Sequence, residues 1–295
     1  MKITFLGTAA MVPTRERNHP GVLLQYKKEN ILFDCGENIQ RQLTINGFSS
    51  AKITKVLITH WHGDHSLGLP GLIQSMASHH YEKILEIFGP EQSKNFVERM
   101  ISAFLLKEKI RYDVQEVNKV FYETDDFMLE ATKVKHTSPC LAFAFIEKPK
   151  RKVNITYLKK YNLKNDPIIG KLQKGQDIIY KGKKIKAKDA TTLIPGKKIV
   201  YITDTIYNEA CIKAAKNADI LICESTYTSN LKEKAHEYLH LTAREAAIIA
   251  KKAKAKKLVL THFSQRYKNP SIFEKEAKQV FKNTILAKDF MTMEL

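Results

Sequence analysis

No apolar run in the 295-residue sequence approaches the roughly 20 residues that a membrane-spanning helix needs, which excludes a helical membrane protein. Cysteine is scarce. Cys35, Cys140, Cys211 and Cys223 form no C-x-x-C pair, and their spacing suggests no disulfide framework. They read as small buried residues of a reducing compartment, which sets the expectation of a soluble, cytoplasmic protein. Acidic residues are also few, with 31 Asp and Glu against 49 Lys and Arg, a net charge of +18. A thermally robust surface would raise Glu together with Lys. The imbalance therefore points to an anionic partner, nucleic acid first. No repeat occurs at a solenoid period. What is present is an ordinary globular share of hydrophobic residues, 43%, enough to bury a core. The apolar start, 1–12, is interrupted by Gly7-Thr8 and reads as a strand and a glycine turn, not a signal peptide.

The stretch His60-Trp61-His62-Gly63-Asp64-His65 organises the rest. It follows the β-branched apolar run 55–59, so its three histidines and one aspartate sit where a strand ends and a loop begins. Ligands of layered α/β folds bind at the carboxyl ends of strands. Imidazole and carboxylate are the donors of a catalytic zinc site, which keeps one position open for water. The bland alternative is a solvated His-rich loop, but other strands repeat the pattern. Those at 199–203, 220–223 and 258–261 end at Asp204, Glu224 and His262, and the strand 127–134 delivers His136. Singly, a strand-end Asp is most often a helix cap and a lone His a satisfied core residue. Together they form a candidate site.

The remaining pattern predicts strands at 2–6, 21–26, 31–34, 84–88, 112–117, 119–122 and 141–146. Helices are predicted at 37–45, 67–76, 92–106, 208–215, 242–253 and 272–281. Thr242 with Glu245 reads as a capping box for one of them. His19, His79, His80 and His236 read as surface or packing residues. The run 147–198 holds 16 Lys and Arg against 4 Asp and Glu, net +12, two-thirds of the charge of the chain. Interleaved Tyr157 and Tyr161 suit nucleic-acid backbone binding and stacking. A solvated linker is the usual fate of such a run.

These segments resemble the metallo-β-lactamase superfamily and, within it, the ribonuclease Z (tRNase Z) family. The resemblance spans nearly the whole length. It is carried by Pro13-Thr14 with Arg17-Asn18, by Phe33-Asp34-Cys35-Gly36-Glu37, and by the loop 59–65 continuing into Gly68-Leu69-Pro70-Gly71. Lys135-His136, Thr203-Asp204-Thr205, His240-Leu241-Thr242 and Ser264-Gln265-Arg266-Tyr267 complete it. The H-x-H-x-D-H loop alone marks the superfamily, and the other motifs narrow it to the family. The chain departs at three places: Asp166-Pro167 replaces a Gly-Pro pair in the basic arm, Thr203 stands where Gly is common, and Cys223 replaces a His before Glu224.

The resemblance implies a single domain over 1–295 with a four-layer αββα sandwich and an inserted tRNA-binding arm at 147–198. It implies two Zn2+ ions per subunit, one taking His60, His62 and His136, the other Asp64, His65 and His262, with Asp204 between them. Asp64 would also serve as general base. His240 is the candidate donor to the leaving 3′-oxygen, since a histidine titrates near working pH, and Glu224 would orient or charge its ring. Thr14, Arg17, Ser264 and Arg266 look like substrate-phosphate contacts. The implied activity is removal of the 3′ trailer from precursor tRNA, leaving a 3′-hydroxyl, by an enzyme that is usually a homodimer. The alternatives are a broader zinc phosphodiesterase, another hydrolase of the same fold, and an RNA-binding protein with a dead site. The last would have lost ligands, and all seven are present.

Overall fold

The computed structural model describes residues 1–104 and 110–295. The chain divides into two compact units. One comprises 1–122, 129–145 and 198–295, and the other 123–128 with 146–197.

The described residues build two seven-stranded sheets, all but a few strand-end residues of which belong to the first unit. The first runs in spatial order Thr292–Glu294, Lys2–Gly7, Gly21–Tyr26, Glu29–Phe33, Lys55–Leu57, Ile84–Gly89 and Arg111–Glu116. Its first four strands pair antiparallel and the rest parallel. The second runs Thr284–Leu286, Leu258–Thr261, Ile220–Glu224, Lys198–Ile202, Cys140–Glu147, Phe127–Val134 and Lys119–Glu123. Its first four are parallel. Parallel strands covered on both faces are continuous apolar runs, and Ile220–Glu224 and Leu258–Thr261 are buried throughout.

The sheets face each other through aromatic side chains. Phe33 packs on Phe143 and Tyr201, Tyr26 on Phe145, and Phe88 on Phe121, with ring centroids 4.9–6.5 Å apart. Helices Ile39–Ile45, Leu69–Ser78 and Ser93–Ser102 cover the outer side of the first sheet, burying Leu43, Leu72, Met76 and Val97 against it. Helices Glu209–Ala215, Ala243–Lys252 and Ser271–Lys278 cover the second. This is the αββα layering that the resemblance implies.

Boundaries shift for local reasons. The helix expected from residue 37 begins at Ile39, because Asn38 is left-handed with φ 70°. The strand ahead of the His-rich loop stops at Leu57, because the next free amide, Thr59 N–H, donates to the Asp34 side chain at 2.8 Å. The helix expected over 92–106 is observed as Ser93–Ser102, and its expected end at 105–106 lies outside the described residues. Thr242 and Glu245 do form a reciprocal capping box. Two edge strands, Thr284–Leu286 and Thr292–Glu294, and the helix Lys232–Glu237 were not foreseen.

The second unit has a core of its own, built from Leu158, Leu163, Leu172, Ile178, Ile185, Ala187 and Ala190. Strand Lys150–Val153 pairs with Thr191–Ile194, and Ile178–Tyr180 pairs with Lys183–Ile185. The latter hairpin turns through Lys181 and Gly182, both at positive φ, as a two-residue turn requires. Asn154 caps the helix Ile155–Lys159 by accepting the Tyr157 N–H. Asp166 Oδ1 accepts the Ile168 N–H at 2.9 Å, so the Asp-Pro pair opens a turn ahead of the helix Ile169–Gln173. The basic run is thus a folded unit with most of its lysines exposed, not a solvated linker.

Candidate metal centre

The loop after Lys55–Leu57 turns into the short helix Gly63–Ser66, which brings Asp64 and His65 round to the side that His60 faces. Two glycines permit it. A Cβ on Gly36 would run into the Asp64 carbonyl, and one on Gly68 into the Gly36 carbonyl. From the second sheet, Asp204 follows Lys198–Ile202 and His262 follows Leu258–Thr261. Asp34, Asp204 and His262 have φ of 55°, 29° and 61°. Non-glycine residues in this region are strained, and such strain gathers where a site over-determines its backbone.

Seven side chains converge in two groups that share Asp204. The first is His60, His62, His136 and Asp204, and the second Asp64, His65, Asp204 and His262. Asp204 turns one oxygen to each. Oδ2 lies 3.6 Å from His60 Nε2 and 3.8 Å from His136 Nε2. Oδ1 lies 3.4 Å from His65 Nε2 and 3.1 Å from His262 Nε2. His62 enters by Nδ1, 3.0 Å from His60 Nε2 and 3.3 Å from His136 Nε2. Asp64 Oδ2 is 3.4 Å from both His65 and His262.

Burial, which alone would raise it, is outweighed by the neighbouring histidines, so Asp64 and Asp204 lie well below the usual carboxylate range. Burial pushes His60, His62 and His136 down, which keeps them neutral, the form that binds metal. At His65 burial is outweighed by Asp64, Asp204 and Asp34, and its value rises well above the ordinary one.

The donors fit metal ions. Asp64 Oδ1 is buried without a hydrogen-bond partner, and Asp204 Oδ1 is buried with only the ring nitrogens of His262 and His65 near it and no well-formed hydrogen bond, an arrangement that is costly unless something positive sits against them. The set is imidazole and carboxylate throughout, the chemistry of a zinc or similar divalent site.

A second set of groups holds these donors, and pattern reading gave it no role. Asp34, fully buried, accepts from His65 Nδ1 at 2.7 Å, from Tyr201 Oη at 3.1 Å and from the Thr59 hydroxyl at 3.0 Å. Thr59 Oγ1 lies 3.1 Å from His60 Nδ1. Thr226 Oγ1 donates to Glu224 Oε2 at 2.6 Å and stands 2.9 Å from His262 Nδ1. The signal for Asp34 was its place at a strand end, the criterion that picked out Asp204. Asp34→Asn is expected to lower metal affinity about 10–100-fold, as outer partners of ligating histidines do. Equilibrium dialysis of the purified variant measures it, and wild-type affinity would deny Asp34 this part.

His240 stands beside the cluster with Nδ1 3.2 Å from Glu224 Oε1, leaving Nε2 as its other nitrogen. Burial lowers its proton affinity, but Glu224 and Asp204 outweigh this and push it up to about 9. Glu224 is fully buried and also accepts the Thr205 N–H. His240, Ser264 and Arg266 line one cavity of about 330 Å³ with Asp64, Asp204 and His262.

The other two expected phosphate contacts lie elsewhere. Arg17 is buried, with its Nη atoms donating to the Tyr267 carbonyl at 3.0 and 3.1 Å. Thr14 Oγ1 accepts the Arg17 N–H at 3.1 Å, and Thr14 faces a separate groove beside Asn18 and Glu37. Arg17 thus holds the loop 13–18 to the segment 264–267, and Thr14 braces the loop internally. Trp61 turns away from the cluster, stacking on Phe96 and donating to Ser93 Oγ at 2.9 Å.

Known proteins share this architecture. A family model described as Anti-Pycsar protein Apyc1 matches residues 1–285. Ribonuclease Z of Methanothermobacter thermautotrophicus is 39% identical over 298 residues, covering 100% of this chain and 97% of that protein. The crystal structure of human tRNase Z, short form, superposes with a TM-score of 0.72 at 28% identity, covering 100% of this chain and 99% of that one. Zn2+-bound PqqB from Methylobacterium extorquens shares the fold, with a TM-score of 0.65 at 13% identity over 100% of both chains. With a metallo-β-lactamase fold, a converged metal-binding cluster and relatives of this identity along its whole length, the chain belongs to the ribonuclease Z family.

Proposed function

We propose that this chain is a metal-dependent endoribonuclease that removes the 3′ trailer from precursor tRNA by phosphodiester hydrolysis, leaving a 3′-hydroxyl on the tRNA. The observation that carries the reading is the convergence of all seven expected ligands in a chain 39% identical to a ribonuclease Z. One site would take His60, His62 and His136, the other Asp64, His65 and His262, with Asp204 shared. Metal ions held there would supply Lewis-acid polarisation of the phosphate and a water activated near neutral pH.

The protein groups do the rest. Asp64 Oδ1, buried and without a partner, takes a proton from the attacking water. His240, its Nδ1 held by Glu224, presents Nε2 to the departing 3′-oxygen and gives it a proton. Ser264 and Arg266 receive phosphate in the same cavity. Two zinc ions per subunit, a homodimer and a cytoplasmic location belong to this reading. The His and carboxylate donor set suits zinc, and four buried free thiols suit a reducing compartment. Among the described residues no helix is long and apolar enough to cross a membrane.

Incubation with precursor tRNA, a phosphodiester dye and a thioester, each with and without chelator, tests the reading. Chelator-sensitive trailer release is expected. Thioester hydrolysis with intact precursor would replace the reading with another hydrolase of this fold.

The arm at 147–198 supplies affinity for tRNA and not chemistry. Its net charge is +12, and none of the seven ligands lies in it. Excision is mild at the backbone, because Glu147 N–H donates to Lys197 O at 2.8 Å, so the two ends are already neighbours. Replacing 148–196 by a short Gly/Ser turn should raise the KM for precursor tRNA. It should flatten the dependence of affinity on salt by about 0.7–0.9 per lost phosphate contact. Dye hydrolysis should survive. Binding from low to moderate salt, after circular dichroism shows a folded protein, measures this, and an unchanged slope would move the RNA site elsewhere.

A further inference from the structure

Arg266 is exposed, yet it is not loose. Its Cζ stands 5.2 Å from the centroid of the Tyr227 ring, and its Nε donates to Ser264 Oγ at 3.1 Å. Among the described residues no ion pair to a carboxylate uses its guanidinium. An arginine without a counter-ion, held on an aromatic face at the rim of a cavity, has Nη1 and Nη2 available for an anion.

Tyr227 is itself fixed. Only 7% of it is exposed, its N–H donates to Leu241 O at 3.3 Å, and its carbonyl accepts the Ala243 N–H at 3.0 Å. The ring also neighbours His240, whose ring centroid is 6.1 Å away, and Tyr227 lines the same cavity. Neither the sequence motifs nor the ligand set gave this residue a task.

We propose that Tyr227 is a positioning residue for RNA recognition. Its ring pins the Arg266 guanidinium so that the two Nη atoms form a ready fork for a phosphate of the RNA strand. The inference rests on the function proposed above. A flexible arginine would lose side-chain freedom on binding, and the ring removes that cost beforehand. A fork that grips phosphate equally in the ground state and the transition state acts on KM and leaves kcat alone.

A double-mutant cycle tests it. Tyr227→Leu should raise the KM for precursor tRNA about three- to tenfold, the range that a cation held on an aromatic face supplies, with kcat little changed. Tyr227→Phe, which keeps the face, should behave as wild type. Arg266→Ala should raise KM at least as much, and adding Tyr227→Leu to it should cost nothing more. Should the Leu variant not fold, Tyr227→Met keeps the buried volume without an aromatic face and takes its place. Independent, multiplying effects of the two substitutions would overturn the proposal, as would a loss in kcat or a Phe variant as weak as Leu. If the wild-type protein leaves the precursor uncut, the proposed function fails, and the cycle is read by fluorescence anisotropy with a labelled trailer RNA. There the coupling between Tyr227 and Arg266 stands or falls by itself.

Discussion

Asp64→Ala is expected to abolish cleavage of precursor tRNA while leaving its binding nearly unchanged. On the proposed mechanism the carboxylate has two tasks on two oxygens. Oδ2 faces His65 and His262 at 3.4 Å and accepts the Met11 N–H at 2.9 Å, while Oδ1 is buried without a partner. Truncation would remove the proposed ligand from one site and the proposed acceptor for the proton of the attacking water. It also leaves His65 beside one carboxylate fewer. On the proposed function, RNA affinity would come from phosphate contacts made elsewhere, chiefly by the basic arm, so binding should survive. Single-turnover cleavage and a filter-binding titration on the same preparation separate the two effects. Cleavage at the wild-type rate would discard the mechanism. Loss of binding in parallel with cleavage would show that the metal cluster carries substrate affinity as well.

The second large effect is expected at His240. His240→Ala should lose roughly 10²–10⁴ in rate, the usual share of general acid–base catalysis, with metal content unchanged. The second half of that expectation matters, because Glu224, His240 and His262 themselves form a third group able to hold a metal. Fewer bound metal ions in the variant would make His240 a ligand and not a proton donor. Glu224→Gln probes the same role from behind. Burial works against the His240 proton, and Glu224 is the largest influence in its favour, raising the value to about 9. The protonated ring is the active form of an acid, so activity falls as pH rises through that value. Removing the Glu224 charge lowers the proton affinity and should move the alkaline fall-off to lower pH. An alkaline limb that stays in place would separate Glu224 from the proton transfer.

What was legible in the chain was whatever is written locally. His60, His62, Asp64 and His65 lie within six residues, and Asp204, Glu224 and His262 each close a β-branched strand. A strand end is a short-range signal. The support beneath these groups is not. Asp34 reaches His65 across 31 residues, in the segment after the neighbouring strand of its own sheet, and Tyr201 across 167, a contact that exists only once the two sheets face each other. Arg17 illustrates the converse. Its motif and charge suggested phosphate, whereas burial commits its Nη atoms to the carbonyl of Tyr267, 250 residues away. The arm was legible by charge but not by fold. Its core residues are single apolar positions scattered between lysines, and they form no periodic face until the hairpins bring them together. The edge strands Thr284–Leu286 and Thr292–Glu294 are three residues each, too short for alternation to show.

The most direct test of the central claim is to map the cut on a precursor tRNA that carries a 3′ trailer, using wild-type protein with and without chelator. The account predicts a single metal-dependent cut where the trailer joins the tRNA body, with a 3′-hydroxyl on the tRNA and a 5′-phosphate on the trailer. A 3′-phosphate on the tRNA, cuts within its body, or trailer release undiminished by chelator would contradict it.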